Sequence, residues 1–139
     1  MITIFTPTYN RKEKLSLLYN SLLNQNYKNF EWLIVDDGST DGTSNYIEEL
    51  QKKDQITIRY IYKKNEGKMS TVNIAHEEAS GECFITIDSD DELMPNILSS
   101  LERDFKKIKK NDDLAGIVYL ASYKGKSKEI INYTIYVCQ

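Results

Sequence analysis

Asp88-Ser89-Asp90-Asp91-Glu92 puts four acidic groups into five positions, directly after the apolar run Cys83 to Ile87. Such a cluster repels itself at neutral pH unless a cation offsets it. Carboxylates two apart on a turn, as Asp88 and Asp90 are, can reach one hard divalent cation, which prefers oxygen ligands and leaves positions open for phosphate oxygens. A cation held that way can stabilise a departing diphosphate. A second acidic pair, Asp36-Asp37, follows the apolar run 30–35, and the polar segment Thr6-Pro7-Thr8-Tyr9-Asn10 follows another at 2–6. Taken singly each has a plainer reading. Asp-Ser-Asp is common in solvated turns, Asp36, Asp37 and Asp41 can cap a helix, Pro7 can end a strand, Tyr9 can pack, and Lys68 can be a solvated lysine in a first helical turn.

The elements that must position these groups are legible in the hydrophobic pattern. ITIFT (2–6), FEWLIV (30–35), ITIRYIY (56–62) and the run at 83–87 read as strands, rich in β-branched and aromatic residues. Leu15, Leu18, Leu22 and Leu23 make one stripe at helical spacing, in a helix expected to start at Asn10 with Glu13 in capping-box position. Residues 41–53 read as a helix with Tyr46, Ile47 and Leu50 inward, and residues 68–79 as one with Met69, Val72, Ala75 and Ala79 inward, stopping at Gly81. A fourth helix from about Pro95 buries Ile97, Leu98, Leu101, Phe105 and Ile108. Residues 114–121 and 129–137 read as two further strands joined by a lysine-rich turn. Strand and helix alternate four times, which predicts a parallel sheet with helices on both faces. In such sheets ligands bind beyond the carboxyl ends of the strands, where all three polar segments fall.

Composition narrows the class. At 139 residues the chain is one domain's worth, and 40% hydrophobic with 28% charged residues is ordinary for a soluble globular protein. A net charge of −3 provides no basic field for nucleic acid. The lysine runs at 106–110 and 124–128 read as a solvated helix face and a basic turn, with weak contact to an anionic surface as the other reading. Cys83 and Cys138 stand in no metal or redox spacing, so a buried thiol at Cys83 and a cytosolic compartment are expected. No signal peptide or membrane-span pattern is seen. His76, the only histidine, sits beside Glu77 and Glu78 and reads as a surface residue.

TPTYNR (6–11), IVDDGSTDGT (34–43), NEGKMSTVNIA (65–75) and IDSDDEL (87–93) occur in that order. Together they resemble the nucleotide-binding half of a family-2 glycosyltransferase with the GT-A fold, over residues 1 to about 121. The resemblance implies an α/β, Rossmann-like, mostly parallel sheet flanked by helices, forming a single nucleotide-sugar-binding domain over 1–139. It implies that Thr6, Pro7 and Tyr9 line a nucleobase pocket with Arg11 nearby, that Asp37 accepts a hydrogen bond from the base, usually uracil, and that Asp36 supports that loop. Lys68 would lie near the base or diphosphate. Asp88, with Ser89 beside it, would touch the ribose or reach the metal through water, Asp90 would bind Mn2+ or Mg2+ directly, and Asp91 would help close the turn. The reaction would be transfer of a sugar from a UDP-sugar, with inversion, to a glycan or lipid-linked acceptor. It would take place in the cytoplasm or peripherally at the inner face of the cell membrane.

The pattern departs from the family where the second, acceptor-binding half is expected to follow the acidic turn. After Glu102 and Asp104 the remaining carboxylates are Asp112, Asp113 and Glu129, none in a recognisable base motif, and the catalytic base is unassigned. A truncated fragment or a non-catalytic nucleotide-sugar-binding module is therefore the alternative. Two other readings use the same acids. Asp37, Ser39, Asp41, Gly42 and Glu48 nearly match an EF-hand loop, which needs a preceding helix. A response-regulator-like receiver needs an acidic pair after the first strand, where Thr6-Pro7-Thr8-Tyr9 stands. An exposed edge around 114–137 would allow pairing with a second copy.

Overall fold

The structure is a computed structural model and describes residues 1–109, 116–121 and 131–137. In chain order the elements are β1 (Ile2–Thr8), α1 (Lys12–Leu23), β2 (Phe30–Asp36), α2 (Thr43–Lys52), β3 (Thr57–Tyr62), α3 (Lys68–Glu78), β4 (Cys83–Thr86), α4 (Ile97–Ile108), β5 (Gly116–Ala121) and β6 (Ile131–Val137). They form one sheet ordered β3-β2-β1-β4-β6-β5. β1 runs parallel to β2 and β4, and β2 parallel to β3. β6 pairs antiparallel with both β4 and β5. The sheet is thus the mostly parallel α/β arrangement that the alternation predicts. Its antiparallel end, with β6 inserted between β4 and β5, is a long-range pairing that no local pattern encodes.

The two-residue period of the strands sorts their side chains onto two layers. Ile2 and Ile4 of β1 and Trp32 and Ile34 of β2 pack against Leu15, Leu18 and Leu22 of α1, Ile47 and Leu50 of α2, and Leu98 and Leu101 of α4. Phe5, Leu33, Val35 and Phe84 face the other way, toward Ala75 of α3. α3 thus stands alone among the described helices on its face, and a polar cluster anchors its far end. Glu31 of β2, 2% exposed, accepts hydrogen bonds from Thr3 Oγ1 (2.6 Å), the Ser80 N–H (2.7 Å) and Arg59 (3.3 Å). Arg59 also reaches the Glu78 carbonyl and carboxylate. Burial pushes the Glu31 carboxyl up, but these hydrogen bonds and the guanidinium outweigh it and hold the group below its usual range.

Gly81 follows this cluster because nothing larger fits. Its N–H donates to Thr3 Oγ1 at 2.8 Å. A Cβ there would stand 2.5 Å from the Thr3 nitrogen and 2.9 Å from the Ile2 carbonyl carbon, backbone atoms that cannot swing aside. Gly81→Ala is therefore expected to push β4 away from β1 and cost about 1–3 kcal/mol. A fall in the urea midpoint at unchanged slope would show it; an unshifted midpoint would contradict the packing.

Three local expectations are corrected. α1 begins at Lys12, and Asn10 is not its cap: Asn10 adopts a left-handed φ of 50° and bonds to another loop. Pro7 does not end β1, which runs to Thr8; the ladder with β4 ends at the pair Phe5–Thr86, so Pro7 pairs in register with β2 alone. Met69 is 73% exposed, because Thr71 and Ala75 set the inward face of α3. Tyr46, Ile47 and Leu50, and Leu98, Leu101 and Phe105, pack inward as expected. Ile108's side chain, the 124–128 lysines and Cys138 lie outside the described residues, whereas Cys83 is buried. Among the described residues no helix is long and apolar enough to cross a membrane.

Candidate functional site

A cavity of about 410 Å3 opens beyond the carboxyl ends of β1, β2 and β4, against the first turn of α3. Pro7 and Thr8 line it from the last residues of β1, Tyr9 and Arg11 from the segment that follows, Asp37 from that after β2, and Asp88 and Ser89 from that after β4. Asn65, Gly67, Lys68 and Thr71 complete the wall. Of the residues singled out in the sequence, Pro7, Tyr9, Asp37, Lys68, Asp88 and Ser89 thus come together in one hollow.

Thr6 does not join them. It is fully buried, and its Oγ1 accepts the Trp32 indole N–H at 3.0 Å. As the third member of the Ile2, Ile4, Thr6 alternation it points to the core. Asp36 is also fully buried; it accepts the Ser39 N–H at 2.8 Å and the Tyr60 hydroxyl at 2.6 Å. Burial and that bond push the Tyr60 phenol up, so it stays a donor. Asp36 stands behind the cavity wall, as a support of its loop.

Asp37 binds the neighbouring loop with its whole carboxylate. Oδ1 accepts from Lys63 Nζ (2.7 Å) and the Glu66 N–H (2.9 Å), and Oδ2 accepts from the Gly67 N–H (2.8 Å). Burial alone would raise this carboxyl, but the Lys63 ammonium and the two backbone donors hold it below its usual range. The contact is close: a Cβ on Gly38, whose φ is +87°, would lie 3.0 Å from the Asn65 nitrogen. A second set of bonds joins the β1 and β2 exits. The Asn10 N–H donates to Ser39 Oγ and the Thr40 N–H to Asn10 Oδ1, both at 2.8 Å. The Lys12 N–H donates to Asp41 Oδ2 at 3.0 Å, so Asp41 caps α1 from across the gap while its Oδ1 accepts from the Thr43 N–H at the start of α2. These contacts fix where Tyr9 and Arg11 stand.

The acidic turn is met by cations from two walls. Lys68 Nζ lies 2.7 Å from Asp88 and Arg11 Nη1 lies 2.9 Å from Asp90. The Asp91 N–H donates to the Asp88 carbonyl at 3.0 Å, closing the turn. Among the described residues no group of three or more His, Cys, Asp or Glu is arranged to hold a metal ion. The donor set still fits Mn2+ or Mg2+, because such ions are commonly held by one or two carboxylates with water and substrate phosphate completing the shell. Asp88 and Asp90 are each 48% exposed; Asp88 lines the cavity, whereas Asp90 stands outside its lining and reaches it through Arg11.

The EF-hand use of these acids fails on geometry. The segment before Asp37 is the strand β2, and Asp37 and Asp41 bind different loops. Glu102 and Asp104 pair with Lys106 and Lys107 on α4; Asp112, Asp113 and Glu129 lie outside the described residues. His76 is exposed, as expected, and stacks on Phe84 with ring centroids 4.4 Å apart. Thr8, Asn65, Gly67 and Thr71 lie within the motifs read from the sequence but have no individual role there. Asn65 and Gly67 flank a polar strand exit, which was the available signal; Thr71 looks like any helical threonine.

The family model described as "Glycosyl transferase family 2" matches residues 3–132. The chain is 35% identical over 102 residues to a GalNAc(5)-diNAcBac-PP-undecaprenol β-1,3-glucosyltransferase of Campylobacter jejuni, covering 72% of this chain and 33% of that protein. It superposes on a fragment of S. aureus TarS in complex with UDP with a TM-score of 0.76 at 25% identity, over 92% of this chain and 38% of the other. The mannosyltransferase PcManGT of Pyrobaculum calidifontis, in complex with GDP-Man and Mn2+, shares the fold with a TM-score of 0.73 at 23% identity, over 88% of this chain and 35% of the other. The chain therefore spans about a third of the length of these proteins, and its fold is the GT-A fold.

Proposed function

The chain belongs to glycosyl transferase family 2, and from that membership we propose that its cavity is the donor site for a UDP-sugar in an inverting, metal-assisted sugar transfer. The observation that carries this reading is the meeting of Pro7, Tyr9, Asp37, Lys68, Asp88 and Ser89 around one hollow. Tyr9, 49% exposed at its edge, offers a ring face to a base. Asp37 Oδ2 accepts one bond, from Gly67, and so has a lone pair left for a base N–H. Lys68 stands where it can turn from Asp88 to a phosphate oxygen, leaving Asp88 for the ribose. Asp88 and Asp90 would hold Mn2+ or Mg2+, with Asp90 the direct ligand. That ion, when bound, supplies charge stabilisation for the leaving diphosphate. The UDP-bound TarS structure favours UDP as the carrier.

The whole protein would act on a glycan or lipid-linked acceptor at the inner face of the cell membrane, in line with the undecaprenol-linked substrate in the Campylobacter relative's name. A second reading, a binding module without turnover in this chain alone, is favoured by the lining. Its carboxylates are Asp37 and Asp88, both of which serve the donor. The test is amide hydrogen exchange with and without a UDP-sugar and Mn2+. Slowed exchange confined to residues 8–11, 65–68 and 88–91 is expected; protection elsewhere only, or none, would refute the site.

A further inference from the structure

Arg11 is a residue of the cavity wall whose charge is spent on Asp90, the proposed direct metal ligand. It sits at the N-cap position of α1, lines the cavity, and places Nη1 2.9 Å from Asp90 Oδ2. Asp88 is already engaged by Lys68 on the opposite wall, so each acid of the proposed metal pair carries its own cation. We propose that Arg11 is a resident counter-cation of the acidic turn, which leaves Asp90 when a divalent cation binds and turns to the donor diphosphate. This rests on the donor-site reading above.

The pair is well suited to exchange. Its side chains are 50% and 48% exposed, and ion pairs this open contribute little, so releasing the guanidinium costs little. A divalent ion brings twice the charge to the carboxylate. The freed guanidinium keeps its planar fork of donors, which matches phosphate oxygens in pairs. Because Arg11 lines the cavity from the loop fixed by Asn10, a side-chain rotation suffices to change partners. Metal and diphosphate then bind with positive coupling, since each favours the same released state of Arg11.

The test compares the unaltered chain with Arg11→Ala and Arg11→Lys in two titrations. Mn2+ binding without nucleotide is read from the loss of the free-ion electron paramagnetic resonance signal, and UDP binding is measured calorimetrically at saturating Mn2+. Arg11→Ala is expected to bind Mn2+ alone about two- to fivefold more tightly, yet to bind UDP with Mn2+ roughly tenfold more weakly. Arg11→Lys should lie between on both. Effects of opposite sign are what a residue that merely holds the loop in place would not give. Unchanged or weaker Mn2+ binding by Arg11→Ala, or unchanged UDP affinity, overturns the exchange while leaving the donor site standing. Failure of the unaltered chain to bind UDP with Mn2+ overturns both.

Discussion

Asp37→Ala is expected to weaken UDP binding about 10- to 100-fold while the chain stays folded, because one carboxylate does two tasks. In the proposed donor site it would offer the remaining lone pair of Oδ2 to the base, and it holds residues 63–67 through Lys63 and the N–H groups of Glu66 and Gly67. Hydrogen bonds to a charged partner contribute about 1.5–3 kcal/mol each, and loss of one such bond from the ligand already gives the lower end of the range. The upper end follows if the loop carrying Asn65 and Gly67 must also be ordered on binding. Amide exchange separates the two tasks: in the nucleotide-free variant Glu66 and Gly67 should exchange at least several-fold faster, whereas α1 and β2 should not change. Equal exchange with weakened binding would restrict Asp37 to the base.

The pH dependence of that clamp has a definite sign. The folded Asp37 carboxyl sits below its ordinary value, so the stability it contributes is fully present above the unfolded pKa, about 3.9. It is lost as the pH falls through the lowered folded value. Protection of Glu66 and Gly67 should therefore show no titration of Asp37 between pH 5 and 8 and should fail only in acid.

Asp90→Ala is expected to reduce UDP affinity in Mn2+ by about 100-fold, since metal neutralisation of a diphosphate contributes several kcal/mol and tenfold corresponds to about 1.4 kcal/mol. The exposed Asp90 side chain makes few other demands on the fold, so the thermal midpoint should barely move. The same substitution releases Arg11 from its partner, so whatever UDP binding the unaltered chain shows without metal should persist. Loss of metal-dependent binding alone is the signature of a ligand; loss of both modes would indicate a wider disruption of the turn.

The strand exits were legible because hydrophobic runs stop where acids begin: Val35 before Asp36-Asp37, Ile87 before Asp88. The side chains behind the wall were less so. Thr6 shares its face with Ile2 and Ile4, and its inward direction follows from that alternation. Asn10 reads as a local cap, but its bonds go to Ser39 and Thr40 across the gap, and the left-handed backbone that permits this is set by the tertiary contact. The same holds for Asp41, which caps a helix it precedes and one it follows. Arg11 and Asp90 lie at opposite ends of the described parallel sheet in sequence, and only the adjacency of β1 and β4 brings them together.

Calorimetric titration of UDP into the chain, with and without Mn2+ and repeated on Asp90→Ala, tests the donor site most directly. The expected result is binding strengthened by Mn2+ in the unaltered chain and insensitive to Mn2+ in the variant. UDP binding that ignores Mn2+ in both, or no UDP binding at all, would contradict a metal-assisted donor site built on the turn at 88–91.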